Sequence, residues 1–108
     1  MNDYFELQPG RTGGFDPAAV VAGCIESGAH ALLVDRAALP DTFFDLSSGV
    51  AGELLHRLSV HGIRMAGVVP DPAAHSQPFQ DFLRETNRGS QFRFFIDRED
   101  AVRWLDGE

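Results

Sequence analysis

The apolar positions of this chain change period as it is read from one end to the other. Val20, Val21, Cys24 and Ile25 recur at helical spacing after Asp16-Pro17, an acceptor for free amides followed by a residue suited to the first helical position. Gly28 is placed to stop that helix. Ala31 to Val34 is an unbroken apolar run, as expected of a strand buried on both faces, and it ends at Asp35. Val50, Ala51, Leu54, Leu55 and Leu58 form a second helical stripe, closed by Gly62. Ile63 to Val69 is the next buried strand. Phe79, Phe82 and Leu83 mark a third helix, closed by Asn87-Arg88-Gly89 with Gly89 expected in the left-handed region. Gln91 to Ile96 is another strand, and Asp97 is placed to cap a last helix with Ala101, Val102 and Leu105 inward.

Tyr4 to Leu7 adds a weak first strand, expected as an antiparallel edge, and Gln8 to Gly14 reads as a turn. Arg36 to Ser48 is a long connection, and Pro70 to Pro78 is a loop holding three prolines. Strand and helix alternate four times, which predicts an α/β fold: one sandwich with a mainly parallel four-stranded sheet and about four helices. The single domain spans 1–108, with its core at 16–105. In such a sheet the loops after Val34, Val69 and Ile96 leave by one edge, where open α/β sheets bind ligands.

Composition narrows the function classes. The 108 residues carry a net charge of −7, and all nine basic residues are Arg. An acidic chain is a poor general binder of nucleic acid or anionic membrane. The absence of Lys reads as bacterial compositional bias. Cys24 is the single cysteine, so no disulfide forms within the chain, and no apolar run is long enough to span a bilayer. The expected location is cytoplasmic.

Candidate chemistry gathers at Phe43-Phe44-Asp45-Leu46-Ser47-Ser48-Gly49, where hydroxyls and a glycine meet the start of the main helix. Ser47 and Ser48 read first as helix caps. Ser48, Gly49 and the next amides also suit an anion, and Ser48 is a phosphorylation candidate whose modification would place new charge beside Asp45 and Glu53. Of Phe43 and Phe44, one is expected to plug the core; the other either folds under the loop or stays outside as a partner anchor. Glu53 is suited to completing a capping arrangement with the serines. Asn87 and Arg88 end a helix and are further contact candidates. Asp35, Asp45, Asp71 and Asp97 could line an acidic edge, with helix and turn capping as the preferred reading. The four histidines lack zinc spacing, so neither metal nor cofactor is expected. No nucleophile can be paired with a base, and the reading is non-catalytic; a hydrolase or transferase using Glu53 or the aspartates ranks third.

Two resemblances carry these residues further. The order of an apolar strand ending at Asp35, the Asp45-Leu46-Ser47-Ser48-Gly49 segment, an amphipathic helix and the His61 to Val68 strand is similar to the sulfate-transporter and anti-sigma-factor-antagonist (STAS) domain. That likeness implies a loop serine whose phosphorylation controls partner binding. Leu46 is a departure, since it separates the aspartate from the serines. Within that plan, Phe43-Phe44-Asp45-Leu46, Gly49-Val50-Ala51-Gly52-Glu53 and Glu85-Thr86-Asn87-Arg88-Gly89 resemble a bacterial family known as domain of unknown function 4180 (DUF4180), which implies a compact STAS-like α/β domain. The expected role is a regulatory or protein-interaction domain. Its partner would be another protein, with homodimerisation through the weak edge strand or exposed apolar residues also considered. The alternative is a small-ligand sensor taking an anion or nucleotide at the same helix start.

Overall fold

A computed structural model describes residues 4–7 and 15–107. The turn expected over Gln8 to Gly14 lies outside the described residues. Four strands, β1 (Phe5–Glu6), β2 (Ala31–Asp35), β3 (Arg64–Val68) and β4 (Phe92–Phe95), form one sheet in the order β1-β2-β3-β4. Every neighbouring pair is parallel. The first strand is therefore a parallel edge rather than an antiparallel one. The reason is its connection: α1 (Pro17–Ser27) carries the chain back to the start of β2, and a crossover helix of this kind delivers parallel strands.

The remaining helices are α2 (Val50–Val60), α3 (Gln77–Thr86) and α4 (Arg98–Leu105). Crossovers of one hand, all stepping in the same direction across the sheet, keep their helices on one face. Accordingly, Val20 and Cys24 of α1, Leu54 and Leu58 of α2, and Phe79 and Leu83 of α3 share the larger core with Leu32, Val34, Met65 and Phe94 of the sheet. The last helix crosses no further strand and covers the other face, where Ala101 packs with Leu33, Ala66 and Val68. Both faces of β2 are thus covered, which is why Ala31 to Val34 shows no polar alternation.

Local signals explain most boundaries. Asp16 accepts from the Ala18 amide at 3.0 Å and Pro17 opens α1, while Gly28 (φ 77°) ends it. Gly62 follows α2 with φ 66°. Gly89 is not in the left-handed region; α3 passes into its turn through Asn87, at φ −69° and ψ −9°. Asp97 precedes α4 but forms no side-chain cap, and only its carbonyl receives the Ala101 amide. Ile25 is 53 % exposed because α1 turns it past the rim of the core that buries Val21 and Cys24. No helix among the described residues is long and apolar enough to cross a membrane.

Two ties cross the second face. Arg98 of α4 donates to both oxygens of Glu6 in β1, at 2.6 and 2.8 Å. The Arg64 guanidinium lies 4.2 Å from the centre of the Trp104 ring and also donates to the Trp104 carbonyl. Trp104, Phe95 and Leu105 pack against the smaller core there.

Candidate functional site

The C-terminal ends of the strands place three segments along one rim: the β2–α2 connection, the β3–α3 loop and the β4–α4 junction. The first is not an open loop. Arg36–Ala38, Asp41–Phe44 and Leu46–Ser48 each form a short 3-10 turn, so the connection is a chain of tight turns ending at α2.

Its aromatic pair explains that shape. Phe43 is fully buried and Phe44 is 9 % exposed. Phe43 meets Phe79 at 6.0 Å between ring centres, and Phe44 meets the same ring at 5.0 Å. His75 of the β3–α3 loop stacks on Phe44 at 4.4 Å, and the Arg36 guanidinium also lies over that ring. Both phenylalanines thus fold under the segment, which takes away the reading of either as an exposed partner anchor. Their burial holds the serine segment against α3 and the proline-rich loop, as the parallel sheet requires.

Above this aromatic floor the polar residues face water. The Asp45 carboxylate accepts from both the Ser47 amide (3.1 Å) and the Ser47 hydroxyl (2.6 Å). Ser48 donates its hydroxyl to the Thr42 carbonyl at 2.6 Å and accepts the Val50 amide at 3.2 Å. It therefore ties the preceding turn to the first amide of α2. Gly49 follows with φ 80°, and no atom lies within 4 Å of the place a side chain would take. A left-handed backbone in open space favours glycine for conformational reasons. Glu53 does not join the serines; it binds Arg57 one turn on, at 2.9 Å, because the i,i+4 partner on its own helix face is within reach.

Among the described residues no hydrogen bond or ion pair joins Asn87 or Arg88 to the serine segment. Asn87 turns to β4, accepting the Phe94 amide at 2.7 Å and donating to the Phe94 carbonyl at 3.3 Å. Arg88 is exposed beside it. The aspartates separate likewise: Asp35 accepts the Ala37 amide and Asp45 holds Ser47. Among the described residues no group of three or more His, Cys, Asp or Glu could hold a metal ion.

A cleft of about 530 Å³ lies at the ends of β3 and β4, on the sheet edge where the loops after Val69 and Ile96 leave, and Asn87 is among its lining residues. Val69, Leu83, Phe94 and Ile96 give it apolar walls, with Arg84 and Asp97 at polar positions. Ile96, a large apolar residue just past β4, stands 62 % exposed at this cleft.

Shifted titrations lie away from the serines. The Arg98 guanidinium holds the Glu6 carboxyl below its usual range, and Glu6 raises Arg98 in return. Burial pushes the Cys24 thiol up to about 11, so it is a core residue and a poor nucleophile.

The family described as domain of unknown function (DUF4180) matches residues 15–105, and the chain belongs to that family. No curated protein and no solved structure matches this chain.

Proposed function

We propose that this member of the DUF4180 family is a non-catalytic regulatory domain that binds another protein through the rim around Asp45, Ser47, Ser48 and Gly49. The observation that carries the reading is the contrast within one short segment. Phe43 and Phe44 are locked into the core, while the next polar residues are held outward in fixed geometry. A rigid exposed turn loses little entropy when a partner docks, which favours affinity.

Ser48 is the switch in this reading, by analogy with the loop serine of STAS domains. A phosphate on Ser48 would remove the hydroxyl proton that bonds the Thr42 carbonyl and would put a charge of about −1.5 to −2 near Asp45. It would also sit at the start of α2, where the helix dipole favours an anion. Ser47 fits less well, since its hydroxyl already lies 2.6 Å from the Asp45 carboxylate and a phosphate there would face that charge directly.

The cleft beside β4 gives some support to the second reading, a small-ligand sensor, although it lies at the ends of β3 and β4. At the start of α2, the Val50 amide is occupied by Ser48 and the Gly49 amide by the Leu46 carbonyl. An anion there would have to compete with both bonds.

The test is a lysate pull-down with wild type, Ser48→Ala and Ser48→Asp, read by mass spectrometry. A specific partner kept by wild type and Ser48→Ala but lost by Ser48→Asp is the expected result. Equal capture by all three removes the serine switch. Absence of any specific partner, with a melting temperature raised by an anion or nucleotide, replaces the reading with the ligand sensor.

A further inference from the structure

Strand β4 is an outer edge of the sheet. In a parallel ladder alternate residues turn both backbone groups to the same side. The carbonyls of Gln91 and Phe95 are used by Met65 and Val69 on the β3 side. The outward backbone groups are therefore those of Phe92, Phe94 and Ile96, and among the described residues no strand lies beyond them. At the centre of this edge the Asn87 carboxamide accepts the Phe94 amide and donates to the Phe94 carbonyl. It takes the place that one residue of an added strand would occupy.

The charges along this edge are divided. Exposed Arg88 and half-buried Arg93 lie towards its start, and exposed Asp97 and Asp100 lie beyond its end, where they outnumber the one arginine, Arg84, on the cleft wall beside them. A second copy running antiparallel, with its symmetry axis at Phe94, sets the basic half of each strand against the acidic half of the other. Parallel pairing would set like charge on like. The same register places Phe92 of one copy opposite Ile96 of the other. Phe92 and Phe94 belong to the sheet face that carries α3, and the cleft of about 530 Å³ opens beside Ile96 between Leu83 and Phe94. An incoming Phe92 ring can lie against the apolar wall that Leu83, Phe94 and Ile96 give this cleft.

We propose that β4 is a self-pairing edge for a second copy of this chain, closed in the monomer by Asn87. Two copies would join their sheets by an isologous antiparallel contact, each Asn87 swinging away from Phe94 as the strands bond. The carboxamide works as an edge guard: it satisfies the central backbone groups and keeps the strand from open-ended pairing.

The experiment is sedimentation equilibrium over a range of concentrations. Wild type should associate weakly. Asn87→Ala should dimerise with a dissociation constant lower by about tenfold or more, which corresponds to about 1.4 kcal/mol. Asn87→Asp, which keeps the acceptor and loses the donor, reads the same effect if the alanine variant does not fold. Adding Ile96→Arg to Asn87→Ala should return the protein to monomer. Asp97→Arg should weaken the Asn87→Ala dimer and Arg93→Asp added to it should restore it. A monomeric Asn87→Ala protein with folded circular dichroism overturns the proposal. So does a dimer that ignores Ile96→Arg, and so does a wild type that dimerises as tightly as Asn87→Ala.

Discussion

The Phe44 ring and the His75 imidazole stack at 4.4 Å with only 9° between their planes. This contact joins the β2–α2 connection to the β3–α3 loop, two segments separated in sequence by the whole of α2 and β3. The exposed serines thus rest on a floor contributed by both. Truncating Phe44 to Ala should cost about 3 kcal/mol or more, the range for a buried ring. His75→Ala should cost less, because the imidazole is only half-buried. A double-mutant cycle by urea unfolding should show a coupling of about 0.5–1.5 kcal/mol. Additive losses would mean that the stack does not join the loops.

Ser48 and Ser47 predict different costs on removal. Ser48 bridges Thr42 and Val50, whereas Ser47 bonds only the carboxylate two residues before it. Ser48→Ala should lower stability by about 1 kcal/mol, the usual loss for a helix-terminal hydroxyl. Ser47→Ala should be within about 0.5 kcal/mol of wild type. Thermal melts of the two variants side by side check the order, and a larger loss at Ser47 would reverse the assignment of the structural hydroxyl.

Much of this architecture was legible in the residues. The alternation of period-3.6 stripes with unbroken apolar runs specifies parallel strands joined by helices, and Asp16-Pro17 and Gly28 mark α1 closely. The first strand was misread as antiparallel because four weakly patterned residues carry no direction; the crossover through α1 supplies it. Asp97 was expected to cap α4 from its position alone, but a side chain is free to rotate away, and this one makes no cap bond. Phe43-Phe44 left two outcomes open for a related reason. Adjacent residues in an extended segment point apart, whereas the 3-10 turn at Asp41–Phe44 brings both rings to one side. The Asn87 clamp on Phe94 was illegible, since nothing in local sequence says which strand a helix-terminal amide will meet.

Acid should weaken the tie between β1 and α4. Glu6 has its carboxyl lowered from the ordinary value of 4.5, chiefly by the hydrogen bond from Arg98. A lowered folded-state value means the contribution is fully present above the unfolded value. It is lost as pH falls through the folded one. The pair is partly exposed, so its worth is at most about 1 kcal/mol. Arg98→Gln should therefore melt below wild type at neutral pH, with the difference shrinking as pH drops below 4.5. A difference that stays constant across that window would show that Arg98 acts through packing instead.

Gly67 in β3 owes its identity to Phe94. A methyl group at Gly67 would lie 2.6 Å from two atoms of the Phe94 ring, closer than any real contact allows. The ring cannot readily yield, for it is 7 % exposed and lies among Phe43 and Phe82, at 6.4 and 6.1 Å. Gly67→Ala should lose about 1–3 kcal/mol, as overpacked cores do. Gly23→Ala is the control. Its methyl would meet the tip of the Phe5 ring at 3.0 Å, but that ring is half-buried on a two-residue edge strand and can move. The loss there should be smaller. Adding Phe94→Leu to Gly67→Ala should recover part of the stability, although Phe94→Leu alone should destabilise. Because the Asn87 clamp holds the Phe94 backbone, Gly67→Ala should also speed amide exchange at Phe94 beyond its effect on α1. Equal exchange at both places would mean that the added methyl weakens the whole domain and leaves the β4 edge as it was.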